Sequence, residues 1–246
     1  MKIDIETLKK QHNHPPEKKP HPHQEEAINA LTEVFNFKDN QTKGGLLVLP
    51  TGSGKTFTTV KWLVDNVIPK NVRVLWLAHT FHLLDQAYEV FLENAHRIEK
   101  RGILNIRLIS SHSSHEKAAS IDPVSDDILV MTTQTAISNW QYNAVDDSNK
   151  GMVSNFRNFI AHSKATRLCV ILDEAHHAPA YGCRNLLLDI RKAVPNVYIL
   201  GLTATPTYED ETKRGWLKKI FEQEIIYRAE QAKLIAQNIL AAPEFI

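Results

Sequence analysis

Gly45-Leu46-Leu47-Val48-Leu49-Pro50-Thr51-Gly52-Ser53-Gly54-Lys55-Thr56 is an apolar run that breaks into a glycine-rich turn and then into a helical pattern. A strand, a tight loop and a helix start in that order are what a phosphate-binding loop requires. Gly52 and Gly54 let the backbone turn sharply enough to aim several N–H groups at one anion. Thr51 and Ser53 complete the loop, Lys55 adds a point charge for the β- and γ-phosphates, and the Thr56 hydroxyl can ligate Mg²⁺. Leu49 stands where the strict G-x-x-x-x-G-K-[ST] pattern has its first Gly, but every residue with a direct phosphate role is kept. The reading is a nucleoside triphosphate site.

Working outward, apolar strands alternate with amphipathic helices. Helical spacing covers 24–35, with strands at 45–49 and 72–78 and helices at 55–66 and 81–99. Shorter strands fit 105–109 and 128–132, and buried strands fit 167–172 and 196–202. Helices fit 183–193, 211–221 and 230–239. This alternation predicts an α/β fold with a mostly parallel central sheet and helices on both faces. Residues 138–164 read as a polar, loop-rich insertion on the sheet rim with a short helix near 153–160. Residues 9–22 carry four prolines, which excludes regular structure there, so residues 1–20 are expected to form a flexible arm. Its histidines have no acidic or cysteine ligand fixed beside them, which favours a solvated arm over a metal site.

The second constellation is Val170-Ile171-Leu172-Asp173-Glu174-Ala175-His176-His177. An apolar strand ending in two carboxylates delivers them to the C-terminal edge of a parallel sheet, where ligands of open α/β folds bind. Asp173 would hold Mg²⁺ and Glu174 would activate the attacking water. Thr203 and Thr205, in Gly201-Leu202-Thr203-Ala204-Thr205-Pro206, end the next apolar strand and offer hydroxyls at the same edge.

Composition adds boundaries rather than detail. With 246 residues the chain can bury a sizeable core. A formal net charge of +1 means that any nucleic-acid surface must be a local patch. Cys169 and Cys183 fit a reducing compartment better than a disulfide scaffold. No stretch approaches a membrane span and no signal-peptide core is present, so the expected location is cytoplasmic, with no membrane partner.

Taken in order, these motifs resemble those of the superfamily 2 helicases and translocases, over about residues 20–245. Leu49–Thr56 matches motif I, Asp173–His176 the DEAH form of motif II, and Thr203–Thr205 motif III. The segments 78–86 and 132–135 resemble motifs Ia and Ib; the resemblance implies that Thr80, Gln86 and Thr133 meet nucleic-acid phosphates. Phe81 stands where motif Ia often has Arg. His21-Pro22-His23-Gln24 resembles the adenine-reading element, which implies that Gln24 pairs with the base edge. His176, Thr203 and Thr205 would couple the two sites. The longer strings 173–180 and 201–206 look most similar to the restriction-endonuclease motor branch, which implies a nucleic-acid partner and favours DNA, with RNA left open; Thr207–Asp210 follows where that branch usually has Arg or Asp-Gly.

The resemblance also implies the RecA-like P-loop fold, here a first RecA-like domain over 21–240, with 241–246 opening a linker to a second RecA-like domain that supplies arginine fingers. The expected function is the ATP-binding motor domain of a helicase or translocase, near-inactive by itself. Two other readings stay open. A nucleotide-gated scaffold would use the same boxes without unwinding; a small-molecule P-loop kinase would need neither the DEAH box nor the Thr203–Thr205 site.

Overall fold

The computed structural model describes residues 1–10, 18–37, 43–99, 102–141, 154–205, 211–222 and 225–241. Its elements, in chain order, are β1 (Lys2–Asp4), α1 (Ile5–Lys10), α2 (Pro22–Val34), β2 (Lys43–Val48), α3 (Lys55–Trp62), β3 (Arg73–Ala78), α4 (Phe81–Asn94) and β4 (Ile103–Ile109). Then come β5 (Ile128–Thr132), α5 (Thr133–Gln141), α6 (Asn155–Thr166), β6 (Leu168–Leu172), α7 (Tyr181–Ala193), β7 (Val197–Thr203), α8 (Glu211–Ile220), β8 (Ile225–Arg228) and α9 (Gln231–Ala236).

The strands form one eight-stranded sheet in the order β1-β4-β5-β3-β6-β7-β2-β8. Every neighbouring pair is parallel except β1 against β4. Because successive side chains alternate across a strand, the buried strands feed two separate cores. Leu47, Val74, Trp76, Val130, Ile171 and Leu200 join the core under α1–α4. Leu46, Leu75, Leu77, Leu129, Val170 and Ile199 join the core under α5–α8. The expected α/β fold, with helices on both faces, is what forms.

Two expectations need correction. Residues 2–10 are built into the fold: β1 pairs with β4 from Lys2↔Asn105 to Asp4↔Ile103, and Ile3 and Ile5 are buried. The alternation Lys2-Ile3-Asp4 is too short to stand out, and its pairing partner lies a hundred residues away. Of the proline-rich segment, residues 11–17 lie outside the described residues. The supposed rim insertion is also structural. Helix α6 is longer than read and drives Phe156, Phe159 and Ile160 into the second core at i, i+3, i+4 spacing. Residues 142–153 lie outside the described residues. Strand β8, not anticipated, continues the sheet beyond β2. Among the described residues no helix is long and apolar enough to cross a membrane.

Candidate functional site

Strands β2, β6 and β7 end side by side, so the loops that follow them share one edge of the sheet. The register is tied at that edge. Leu49 N–H donates to Thr203 O at 3.1 Å and Asp173 N–H donates to Leu77 O at 2.8 Å. Gly52 and Gly54 take φ of +81° and +87°, the left-handed region that glycine enters without a Cβ penalty. Gly54 has a second constraint, because a Cβ there would collide with Gln24 Nε2.

Gln24 has work that the sequence reading did not include. Its Oε1 accepts from His21 N–H at 2.9 Å, closing a capping box at the start of α2, while its Nε2 donates to Ser53 O at 2.9 Å. His23 Nε2 lies 3.1 Å from the same carbonyl. Helix α2 therefore carries the phosphate loop on two side chains. Ser53 is buried, with both its N–H and its hydroxyl turned back on Pro50 O, so it braces the loop from within.

A cavity of about 420 Å³ is lined by Thr51, Gly52, Gly54, Lys55 and Thr56 on one wall and Asp173 and Glu174 on the other. Lys55 Nζ is 3.9 Å from Glu174 Oε1, so the cation rests against the candidate base. Glu174 sits at φ 51°, ψ 58°, a left-handed conformation costing a non-glycine residue about 1–3 kcal/mol. Strain of this kind persists where a side chain must be aimed, here into the cavity.

Asp173 is buried. Its Oδ1 accepts from Glu174 N–H at 3.0 Å, while its Oδ2 has no hydrogen-bond partner among the described residues. Burial, with the neighbouring Glu174 charge, pushes its carboxyl up to about 6. An unpartnered buried carboxylate oxygen beside a phosphate loop is a fitting Mg²⁺ ligand. Thr56 and Asp173 would hold the ion, which would neutralise phosphate charge. Among the described residues no three His, Cys, Asp or Glu side chains gather as metal ligands, so phosphate and water would complete the shell.

The raised carboxyl has a consequence for stability. Asp173 binds its proton more tightly folded than unfolded, so the folded state loses stability as pH rises from about 4 through about 6. Asp173→Asn removes that cost. At pH 7.5 without Mg²⁺ the variant should be more stable by roughly 2–3 kcal/mol, and the gain should vanish near pH 4. Urea melts at the two pH values check this; a variant less stable than wild type at pH 7.5 refutes it.

Beyond Glu174 the doubled histidine lies against β3. His176 Nδ1 is 3.3 Å from Glu174 Oε2, the His176 and His177 ring centroids are 4.2 Å apart, and His177 meets His79 edge-on at 4.1 Å. Burial and the two neighbouring imidazoles hold His79 down at about 4. His79 in turn lines a second cavity of about 510 Å³, with Phe81, Lys117, Thr132, Gln134 and Thr135. This is the candidate nucleic-acid groove. Lys117 Nζ is fixed there by the carbonyls of Ser110, Ser111 and His112, at 3.3, 3.1 and 2.7 Å. Asp85, His115 and Ser110, the last at the groove wall, form a hydrogen-bonded chain of 2.9 and 2.7 Å. Ser110 is buried and also accepts from His112 N–H, so this chain braces the loop.

The expected contacts divide. Thr80 is exposed beside the groove and caps α4 by accepting from Leu83 N–H. Thr133 is buried with its hydroxyl donating to Ala78 O at 3.3 Å, so it is internal, and its neighbours Thr132, Gln134 and Thr135 take the groove. Gln86 lines the nucleotide cavity instead, because five residues along α4 from Phe81 carry it to another face of the helix. Thr203 is buried; its hydroxyl donates to Thr205 O and accepts from Thr205 N–H, both at 3.1 Å, closing their turn on itself. His79 and Lys18, the latter at the nucleotide cavity, were missed. The pair His176-His177 was the one sequence signal that could have pointed to His79.

A phosphate loop facing an acidic box across one edge of a mostly parallel sheet, with helices on both faces, is a RecA-like P-loop fold. Residues 17–208 match the family model described as the type III restriction enzyme res subunit, and the chain belongs to that family. Helicase 22 of Sulfolobus islandicus filamentous virus (isolate Iceland/Hveragerdi) is 27% identical over 228 residues, 87% of this chain and 35% of that protein. This chain thus spans about a third of that relative's length. The helicase domain of Pyrococcus furiosus Hef superposes with a TM-score of 0.55 at 20% identity, covering 86% of this chain and 38% of that one. A nuclease-deletion mutant of the type ISP restriction-modification enzyme LlaGI, in complex with a DNA substrate mimic, gives 0.50 at 20% identity, covering 90% and 21%. These structural likenesses show a shared fold.

Proposed function

We propose that this chain is the ATP-binding half of a motor that moves on DNA, hydrolysing ATP with Mg²⁺ once a second RecA-like domain closes over the nucleotide. The observation that carries the reading is the convergence of Gly54, Lys55 and Thr56 with Asp173 and Glu174 on one cavity. Backbone N–H groups and Lys55 would bind the β- and γ-phosphates, Thr56 and Asp173 would hold the ion, and Glu174 would orient and deprotonate water. Incoming triphosphate would draw Lys55 away from Glu174, leaving the base free for its proton only when substrate is present. Gln24, with hydrogen-bonding capacity left on both amide atoms, is the candidate reader of the adenine edge. A restriction-enzyme family and the DNA mimic held by LlaGI both favour DNA. The segment 241–246 is proposed as the start of the linker, and residues 242–246 lie outside the described residues.

Lys55→Ala tests the reading. It removes a charge-assisted contact worth about 1.5–3 kcal/mol, so calorimetric ATP affinity should fall roughly tenfold or more. Unchanged ATP and ADP affinity would place the phosphate site elsewhere.

A further inference from the structure

Helix α7 begins against α5, which lines the groove. Gly182 packs so closely on α5 that a Cβ there would stand 3.1 Å from Ile137 Cδ1, and the residues next to Ile137 along α5, Ser138 and Asn139, line the groove. Tyr181, next to Gly182, is 71% exposed, the highest value among the large apolar and aromatic side chains described. Against it lies Arg184, with its guanidinium carbon 5.4 Å from the Tyr181 ring centroid and 3.9 Å from that of Trp216. Lys219 Nζ is 4.6 Å from the Trp216 centroid, so that indole anchors two cations. Arg184 Nε is buried with no hydrogen-bond partner, and among the described residues no carboxylate pairs with the guanidinium.

An arginine stacked on an aromatic face, with no carboxylate on it among the described residues, has already lost much of the side-chain freedom that binding would otherwise cost it. A planar guanidinium suits phosphate, and an exposed tyrosine offers a face on which an unpaired base can stack. Bases inside a duplex have both faces covered by their neighbours. We propose that Tyr181 and Arg184 form a stacking and phosphate contact for a single strand of nucleic acid running over α5 from the groove. This rests on the reading of the chain as a nucleic-acid motor domain.

The test is fluorescence anisotropy of the whole 246-residue chain with labelled single-stranded and blunt duplex oligonucleotides of equal length, as DNA and as RNA. Tyr181→Ala should weaken single-strand binding by about tenfold and leave duplex affinity within about twofold. Tyr181→Phe, which keeps the ring, should bind the single strand within about twofold of wild type. Arg184→Gln should weaken single-strand binding about fivefold and flatten the dependence of log K on log salt by about 0.7, the slope of one phosphate on a single strand. Preference for the DNA or the RNA strand identifies the source, and either supports the site. Single-strand affinity unchanged in Tyr181→Ala, or an equal loss on duplex and single strand, overturns the proposal. Wild-type chain that binds none of the four probes at low salt overturns instead the nucleic-acid reading beneath it.

Discussion

Residues 1–246 alone are expected to turn over ATP at close to the background rate, with or without DNA. Phosphoryl transfer needs positive charge against the outer oxygens of the γ-phosphate, and an arginine finger contributes about 10³–10⁵ in rate. Among the described residues the cations lining the nucleotide cavity are Lys18 and Lys55, and no arginine reaches it. Of the arginines near the motifs, Arg228 lines a separate cavity with Thr51 and Thr205, and Arg184 and Arg191 are committed elsewhere. Arg184 stacks on Trp216, and Arg191 donates to the carbonyls of Lys219 and Ile220 and pairs with Glu222 at 3.0 Å. Steady-state phosphate release should therefore lie about 10³–10⁵ below that of the same chain joined to a second RecA-like domain. Strong, DNA-stimulated hydrolysis by these residues alone would mean that an arginine comes from within the chain or from a second copy.

In a turnover-competent form carrying the second domain, Glu174→Gln is expected to slow hydrolysis by about 10²–10⁴ while ATP still binds. Glutamine keeps the shape and the hydrogen bonding but cannot take the proton of the attacking water. Affinity should hold or tighten slightly, because the substitution removes a carboxylate that stands 3.9 Å from Lys55 and would repel the incoming triphosphate. Single-turnover rates measured beside calorimetric binding separate the two effects. If binding and turnover fall together, Glu174 is a structural support for Lys55 and the base lies elsewhere.

What could be read before folding was what is local. Lys55 and Thr56 follow Gly54 in sequence, and Asp173 and Glu174 end an apolar run, so both halves of the nucleotide site announce themselves within a few residues. The parallel sheet and its two helical layers followed from the same alternation, whereas the strand order, which places β3 between β5 and β6, did not. Contacts that depend on which face of a helix points where did not. Thr133 and Thr135 are equivalent by type, yet Thr133 turns inward to Ala78 while Thr135 lines the groove. Strand β1 stays invisible because a run of three residues has no pattern of its own and exists only by pairing with β4. Arg184 and Trp216 come from segments thirty residues apart, and nothing in either foretells that one will lie flat on the other.

The imidazoles of His79, His177 and His176 stand in a row between the groove and Glu174. A row of packed rings has no preferred direction. Whatever factor a strand in the groove applies to ATP affinity, ATP must return to the strand unchanged, since both paths around the binding cycle end in the same ternary state. The coupling between the two sites therefore cannot be tuned at one end alone: a substitution at His177 that weakens the effect of a bound strand on ATP affinity weakens, by an equal factor, the effect of bound ATP on strand affinity.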